Sequence, residues 1–104
     1  MIRKAFKMFV DSHAHQEYER RHRPIWRELE EVLKNHGVSN YSIFLDAEKS
    51  ELFGYAEIEN EEEWASIAAE PICQKWWAFM SPIMLSNPDH SPISRELREV
   101  FHMD

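Results

Sequence analysis

The sequence predicts an α+β fold in which short strands are separated by amphipathic helices. Several segments of about eight residues place apolar side chains at every second position, which is the spacing of a half-buried strand. Between them, apolar residues recur three and four positions apart, as on one face of a helix. At 104 residues the chain is long enough for one modest core and too short for two. We therefore expect residues 1–104 to form a single domain.

The chain opens with a predicted strand, Ile2–Val10, because its alternate residues are mostly apolar. Asp11 or Ser12 then offers a side-chain oxygen to cap a helix that runs to about residue 35, where Gly37 is a natural stop. Pro24 interrupts this helix, since it lacks an N–H and its ring crowds the preceding turn. We expect a kink, or two abutting helices with Pro24 as the first residue of the second.

The middle of the chain predicts a hairpin followed by helices. Val38–Asp46 and Glu51–Glu59 have strand composition, and the short polar link between them makes the pair antiparallel. Asn60, with Glu63 three residues later, resembles a capping box for a helix that extends through residue 69. Pro71 begins a further helical segment.

The C-terminal part contains three prolines within Pro82–Ser94, which predicts a long loop, and then an alternating last strand, Glu96–Met103. The element order is thus β-α-β-β-α-(α)-β, the split βαβ arrangement of ferredoxin-like folds. The predicted strands carry apolar residues on both sides, and the few helices can cover one sheet face only. We therefore expect a homodimer that packs sheet against sheet.

Composition excludes several classes of function. The formal net charge of −7 argues against a nucleic-acid binder, and no apolar run approaches the ~20 residues of a membrane span. The single cysteine, Cys73, excludes an internal disulfide framework and favours a cytoplasmic location. The histidines and this cysteine form no metal-binding pattern, and no glycine-rich phosphate loop is present. The sequence therefore predicts neither a cofactor nor a metal.

Tyr18 and His22 are the strongest candidates for chemistry. They lie four residues apart, so on a helix they share the face that Ile25 and Leu29 continue toward the interior. Histidine is available in both protonation states near neutral pH and can transfer protons. A hydrogen-bonded interior histidine would give the same pattern, and spacing alone favours that structural role.

Three further aromatic residues are candidate ligand contacts. Trp76 and Trp77 are adjacent, so on a helix they diverge, with one able to fill the core while the other lines a cavity. Tyr41 could bring its hydroxyl to the same cavity, although a packing role is commoner for a strand tyrosine. These groups suit a reaction that needs only proton transfer and hydrogen bonding.

At these residues the chain resembles the L-rhamnose mutarotase family over its whole length. The matching stretches are Tyr18-Glu19-Arg20-Arg21-His22, Pro24-Ile25-Trp26, Asn40-Tyr41-Ser42-Ile43, Cys73-Gln74-Lys75-Trp76-Trp77 and Asn87-Pro88-Asp89. The resemblance implies a cytoplasmic homodimer of ferredoxin-like subunits, a dimeric α/β barrel, that interconverts the anomers of L-rhamnose without a cofactor. It implies His22 as the proton donor, with Tyr18, Tyr41, Trp76 and Trp77 contacting the sugar.

The implied reaction opens and recloses the pyranose ring. In this hypothesis His22 acts as the acid on opening and returns to a base on closing, while the partner base is not identified. Two alternatives remain: a cofactor-free or haem-dependent monooxygenase of the same dimeric architecture, which rests on fold analogy alone, and a sugar-binding dimer without catalysis.

Overall fold

A computed structural model describes all residues, 1–104. Its elements are β1 (Ile2–Phe9), α1 (His15–Arg21), α2 (Arg27–Asn35), β2 (Ser39–Asp46), β3 (Glu51–Ile58), α3 (Glu61–Ser66), α4 (Pro71–Met80) and β4 (Arg95–Leu97). The four strands form one antiparallel sheet in the order β2-β3-β1-β4. This order confirms the predicted ferredoxin-like α+β fold. None of the helices combines the length and the apolar character needed to cross a membrane.

The helical region after β1 differs from the prediction at its expected N-terminal cap and at Pro24. Asp11 does not cap α1; its carboxylate accepts a hydrogen bond from the backbone N–H of His13 at 2.9 Å, which closes a turn before the helix. Pro24 is not the first residue of the second helix, because α2 begins at Arg27 and Trp26 is its N-cap. Residues 22–24 form a turn between the two helices, and the Arg23–Pro24 peptide bond within it is cis.

Three other local signals have the predicted effect. The Asn60 side chain accepts a hydrogen bond from the Glu63 N–H at 2.7 Å and so begins α3. Pro71 is the first residue of α4. Gly37 ends the α2 segment at φ 83°, in the left-handed region that glycine adopts without a steric penalty.

The last strand is much shorter than Glu96–Met103. β4 pairs with β1 only over Ala5–Lys7, and residues 98–104 form no regular structure. Val100 and Phe101 remain 82% and 79% exposed. Alternating apolar residues produce a strand where one face can be buried, and nothing within this chain covers these side chains.

The helices cover one face of the sheet and leave the other open. The covered face carries the buried residues of β1 and β3, which include Phe6, Met8, Leu52, Ala56 and Ile58. On the open face, Phe44 of β2 is 66% exposed and Leu97 of β4 is 38% exposed. The cleft described below lies on the covered face.

A candidate active-site cleft between sheet and helices

A cavity of about 1190 Å³ lies between the covered sheet face and the helices. Its wall includes all five residues that the sequence singled out: Tyr18, His22, Tyr41, Trp76 and Trp77. They come from α1 and the residue after it, from β2 and from α4. The fold thus brings together residues that are separated by more than half the length of the chain.

His22 lies directly after α1, and its ring is stacked on Tyr18 with centroids 4.3 Å apart. Its Nδ1 is 2.8 Å from the backbone carbonyl oxygen of Tyr18. A carbonyl oxygen can only accept a hydrogen bond, so Nδ1 must carry the proton. In the neutral ring Nε2 therefore holds the free lone pair.

The surroundings of His22 favour this neutral form. Burial lowers the pKa of His22 below its ordinary value of 6.5, and the hydrogen bond to the Tyr18 carbonyl offsets only part of that effect. Trp76 presents an edge-on contact to the ring, with centroids 5.1 Å apart and planes at 89°. The imidazole thus lies between two aromatic rings with no facing carboxylate, and near pH 7 it is a neutral proton acceptor.

The phenols of Tyr18 and Tyr41 remain protonated for a related reason. Burial raises the pKa of both hydroxyls, although 37% of the surface of Tyr41 as a whole is exposed. Neither hydroxyl makes a hydrogen bond within the chain, whereas that of Tyr55, outside the cleft, donates to Glu57 at 2.9 Å. Among residues that are not exposed, Ser39 Oγ is the only fully buried side-chain atom without a partner, so the unpaired hydroxyl of Tyr18 is accessible from the cleft, and Tyr41 is itself partly exposed. These two hydroxyls are consequently available to a ligand.

We expected that one tryptophan could fill the core while the other lines a cavity. Instead, Trp76 and Trp77 are both half-buried and both line the cleft. Trp76 packs against His22 and, at 5.0 Å, against Trp26. Trp77 borders the part of the core that contains Leu29 and Ile58. Flat indole faces of this kind can pack against the C–H surface of a sugar ring.

Several aromatic residues that support the site were not among the sequence candidates. Phe79 packs against Trp76 and Trp26, with ring centroids 5.7 and 5.2 Å away. Trp64 lies 6.2 Å from the ring of Tyr41. The spacing of Trp76 and Phe79, three residues apart on one helix, is a signal that could have identified the first of these contacts.

The Pro82–Ser94 segment forms part of the cavity wall, with Met84 and Pro92 among its lining residues. Backbone hydrogen bonds hold it to the end of β1 and to itself: Leu85 N–H donates to the Phe9 carbonyl at 3.1 Å, and Ile93 N–H donates to the Leu85 carbonyl at 3.0 Å. The predicted loop is therefore held by backbone hydrogen bonds and forms part of the cavity wall.

The residues of the cleft are not arranged for metal binding or for catalysis by a cysteine nucleophile. No group of three or more His, Cys, Asp or Glu side chains is arranged to hold a metal ion. Cys73 is 5% exposed, and burial raises the pKa of its thiol to about 11. It is thus un-ionised near neutral pH and lacks the thiolate that a cysteine nucleophile needs.

Comparison with known proteins gives a consistent result. The family model described as L-rhamnose mutarotase matches residues 3–103. L-rhamnose mutarotase from Opitutus terrae is 62% identical over 104 residues, covering 100% of both chains. That from Shigella flexneri serotype 5b is 56% identical over 103 residues, covering 99% of each.

Solved structures agree. The crystal structure of L-rhamnose mutarotase from Formosa agariphila superposes with a TM-score of 0.92 at 43% identity, covering 100% of both chains. An antibiotic biosynthesis monooxygenase superposes with a TM-score of 0.63 at 13% identity, over 96% of this chain and 99% of that one, which reflects the fold alone. With a family model that matches nearly every residue and full-length relatives above half identity, the chain belongs to the L-rhamnose mutarotase family.

Proposed function

We propose that the protein is an isomerase that interconverts the α and β anomers of L-rhamnose. One observation carries the proposal: a neutral His22, with its Nε2 lone pair free, lies in a cleft with two unpaired phenol hydroxyls and two indole rings. The relatives reported above are named for this activity. Nothing in the reaction requires a group that the cleft lacks.

The reaction is a pair of proton transfers around one carbon. To open the pyranose, a base removes the proton from the anomeric hydroxyl and an acid protonates the ring oxygen as the C1–O5 bond breaks. The open aldehyde rotates about C1–C2, and the reverse steps close the ring on the other face of C1.

His22 can supply both transfers. Its neutral ring accepts the anomeric proton at Nε2, and the resulting imidazolium then donates to the ring oxygen. Both oxygens are bonded to C1, so one imidazole can serve them in turn. The hypothesis from sequence made His22 the acid on opening; the neutral ring instead favours its entry as the base. Because the reaction is reversible, it acts in both capacities over a full cycle.

The other four residues bind and orient the sugar in this proposal. The protonated hydroxyls of Tyr18 and Tyr41 donate hydrogen bonds to sugar oxygens. Trp76 and Trp77 pack against the apolar C–H surface and keep water from the reacting carbon.

The test is anomer exchange of L-rhamnose, measured by saturation-transfer NMR with and without the protein. We expect faster exchange with wild type and loss of the acceleration with His22→Ala. Sugar binding without faster exchange would favour the sugar-binding dimer instead. A haem Soret band in the purified protein would favour the monooxygenase.

We also propose a cytoplasmic homodimer formed through the open face of the sheet. Besides Phe44 and Leu97, this face carries the half-buried side chains of Phe9, Phe53 and Tyr55, flanked by charged residues. An apolar centre with a charged rim is typical of an interface between copies. Sedimentation equilibrium should give a dimer mass for wild type, and Phe44→Glu should shift the protein toward the monomer. A wild-type monomer at micromolar concentration would contradict this proposal.

A further inference from the structure

Arg21 is the last residue of α1 and directly precedes His22. Its side chain is only 17% exposed, and its guanidinium makes three contacts. Nε donates to a Glu17 carboxylate oxygen at 2.7 Å, Nη1 donates to the backbone carbonyl oxygen of Phe79 at 2.5 Å, and Cζ lies 4.2 Å from the centre of the Phe79 ring. An arginine in this position is part of the packed structure and not of the solvated surface.

The Phe79 carbonyl belongs to the last turn of α4. Carbonyls in a last helical turn have no intrahelical donor, and a cation there also interacts favourably with the helix dipole. The guanidinium supplies both the donor and the charge. It therefore ties the end of α1 to the end of α4, which are the helices that position His22 and Trp76.

Phe79 connects Arg21 to the His22 ring through Trp76. It lies three residues after Trp76 on the same face of α4, with ring centroids 5.7 Å apart. Trp76 in turn meets the His22 ring at 5.1 Å. Arg21 makes no contact with the Trp76 or His22 ring among its hydrogen bonds and ring contacts, but its contact with Phe79 joins the end of α1 to the end of α4.

The carboxylate that holds Arg21 is ionised throughout the neutral range. The pKa of Glu17 is lowered to about 2, first by its hydrogen bonds with Arg20 and then by those with Arg21. Arg20 is 70% exposed and bonds the same carboxylate, but it does not reach Phe79. The chain thus contains a neighbouring arginine with the same charge and the same partner that lacks the contact to α4.

We propose that Arg21 is a positioning residue for anomer exchange: its guanidinium, oriented by Glu17, holds Phe79 against Trp76 and thereby Trp76 against the His22 ring, which excludes water from that side of the imidazole. This inference rests on the proposed mutarotase function. It assigns a role in the reaction to a residue that contacts no sugar.

The experiment compares Arg21→Met, Arg21→Lys and Arg20→Met with wild type. Three quantities are measured: kcat and KM for anomer exchange of L-rhamnose, and the pKa of His22 in the sugar-free protein from an NMR titration of the imidazole C–H signals. We expect Arg21→Met to lower kcat about 10- to 100-fold, with a smaller change in KM, because a misplaced catalytic group loses rate more than affinity. The His22 pKa should rise toward 6.5 as water reaches the ring.

Arg21→Lys keeps the charge but not the forked donor, so we expect an intermediate kcat. Arg20→Met should leave kcat and KM within about twofold of wild type and the His22 pKa unchanged, since Arg20 makes only an exposed ion pair. If Arg21→Met does not fold, Arg21→Lys against Arg20→Lys provides the same comparison. A merely structural role would lower the melting temperature and leave the His22 pKa unchanged.

The inference is overturned if Arg21→Met retains the wild-type kcat and His22 pKa, or if Arg20→Met changes them equally. Should wild type itself fail to exchange L-rhamnose, the proposed function fails. The His22 pKa in the sugar-free variants would still decide whether Arg21 positions the ring.

Discussion

Two histidines end two consecutive helices, and their proton affinities are shifted in opposite directions. His22 follows α1 and His36 follows α2, with closely similar backbone angles. In each, Nδ1 lies near a backbone carbonyl oxygen, that of Tyr18 at 2.8 Å or that of Glu63 at 3.2 Å. Beyond this contact the two environments diverge.

The second ring nitrogen makes the difference. Nε2 of His36 is 3.1 Å from a carboxylate oxygen of Glu70, and its Nδ1 is also 2.9 Å from the Glu63 carboxylate. The hydrogen bond with Glu70 is the main cause that raises the pKa of His36. His22 has aromatic rings where His36 has carboxylates, so burial acts on it without a compensating charge and its pKa falls.

The comparison teaches that neither residue type nor position in a helix identifies a catalytic histidine. A histidine held between carboxylates is charged more readily and serves as a tie between elements, here between α2 and the α3–α4 region. A desolvated histidine with one free lone pair is a base near neutral pH. The following predictions separate the two roles.

Replacing each of the two histidines by alanine should give the largest difference in the rate of anomer exchange. We expect His22→Ala to lower kcat for anomer exchange by roughly 10²–10⁴-fold, the usual contribution of a general acid–base group. His36→Ala should retain kcat within about threefold, because its ring lies outside the cavity wall. The measurement is saturation-transfer NMR with L-rhamnose. Near wild-type exchange in His22→Ala would remove this histidine from the mechanism.

The pH dependence of the rate should follow His22 alone. Since the base must be neutral, kcat/KM should rise about tenfold per pH unit below the His22 pKa and level off above it. The inflection should lie below pH 6.5, in the direction of the lowered pKa. His36→Gln should give the same profile. An inflection above pH 6.5 that disappears in this variant would assign the titration to the other histidine.

Exposing one side of the His22 ring to water should bring its pKa closer to the ordinary value for histidine. Trp76→Leu removes the edge-on indole, so water reaches the imidazole and its pKa should rise toward 6.5. NMR titration of the sugar-free protein measures this. Phe53→Leu, on the open face of the sheet and outside the cavity wall, is the control and should leave the His22 pKa at its wild-type value.

The smallest expected effect concerns the pH dependence of stability through His36. Its folded pKa lies above the unfolded value near 6.5, so its stabilisation is fully present below pH 6.5 and is lost as pH rises through the folded pKa. The facing groups are Glu63, Glu70 and the hydroxyl of Ser66.

Between pH 6 and 8, the wild-type melting temperature should fall relative to that of His36→Gln by on the order of a few degrees, because partly exposed pairs contribute little. Differential scanning calorimetry at constant ionic strength measures the change. Parallel curves for the two proteins would show that the carboxylates do not stabilise the charged ring.

Local chemistry explains which structural predictions succeeded. Asn60 begins α3 and Pro71 begins α4 because a cap acts on N–H groups within the next turn, and a proline acts on its own backbone. The failures at Asp11 and Pro24 were local too, because Asp11 accepts from His13 in a turn and α2 begins only at Arg27, whereas the failure at the C-terminus involved a partner distant in sequence. The expected strand Glu96–Met103 ends at Leu97, since its second half has no apolar surface to cover within the chain.

The sequence by itself determined the order of the elements and the pairing of Tyr18 with His22, because four residues of helix bring two rings together without help from the rest of the chain. Only the tertiary structure decided that α4 places Trp76 against His22, and that two carboxylates from α3 and the residue before α4 meet His36. Proton affinity depends on charge and solvent within a few ångströms, and those neighbours come from segments 27 to 54 residues away. That is why the spacing of the sequence could indicate a histidine in a pocket, while the fold was needed to show that the pKa of His22 is lowered and that of His36 is raised.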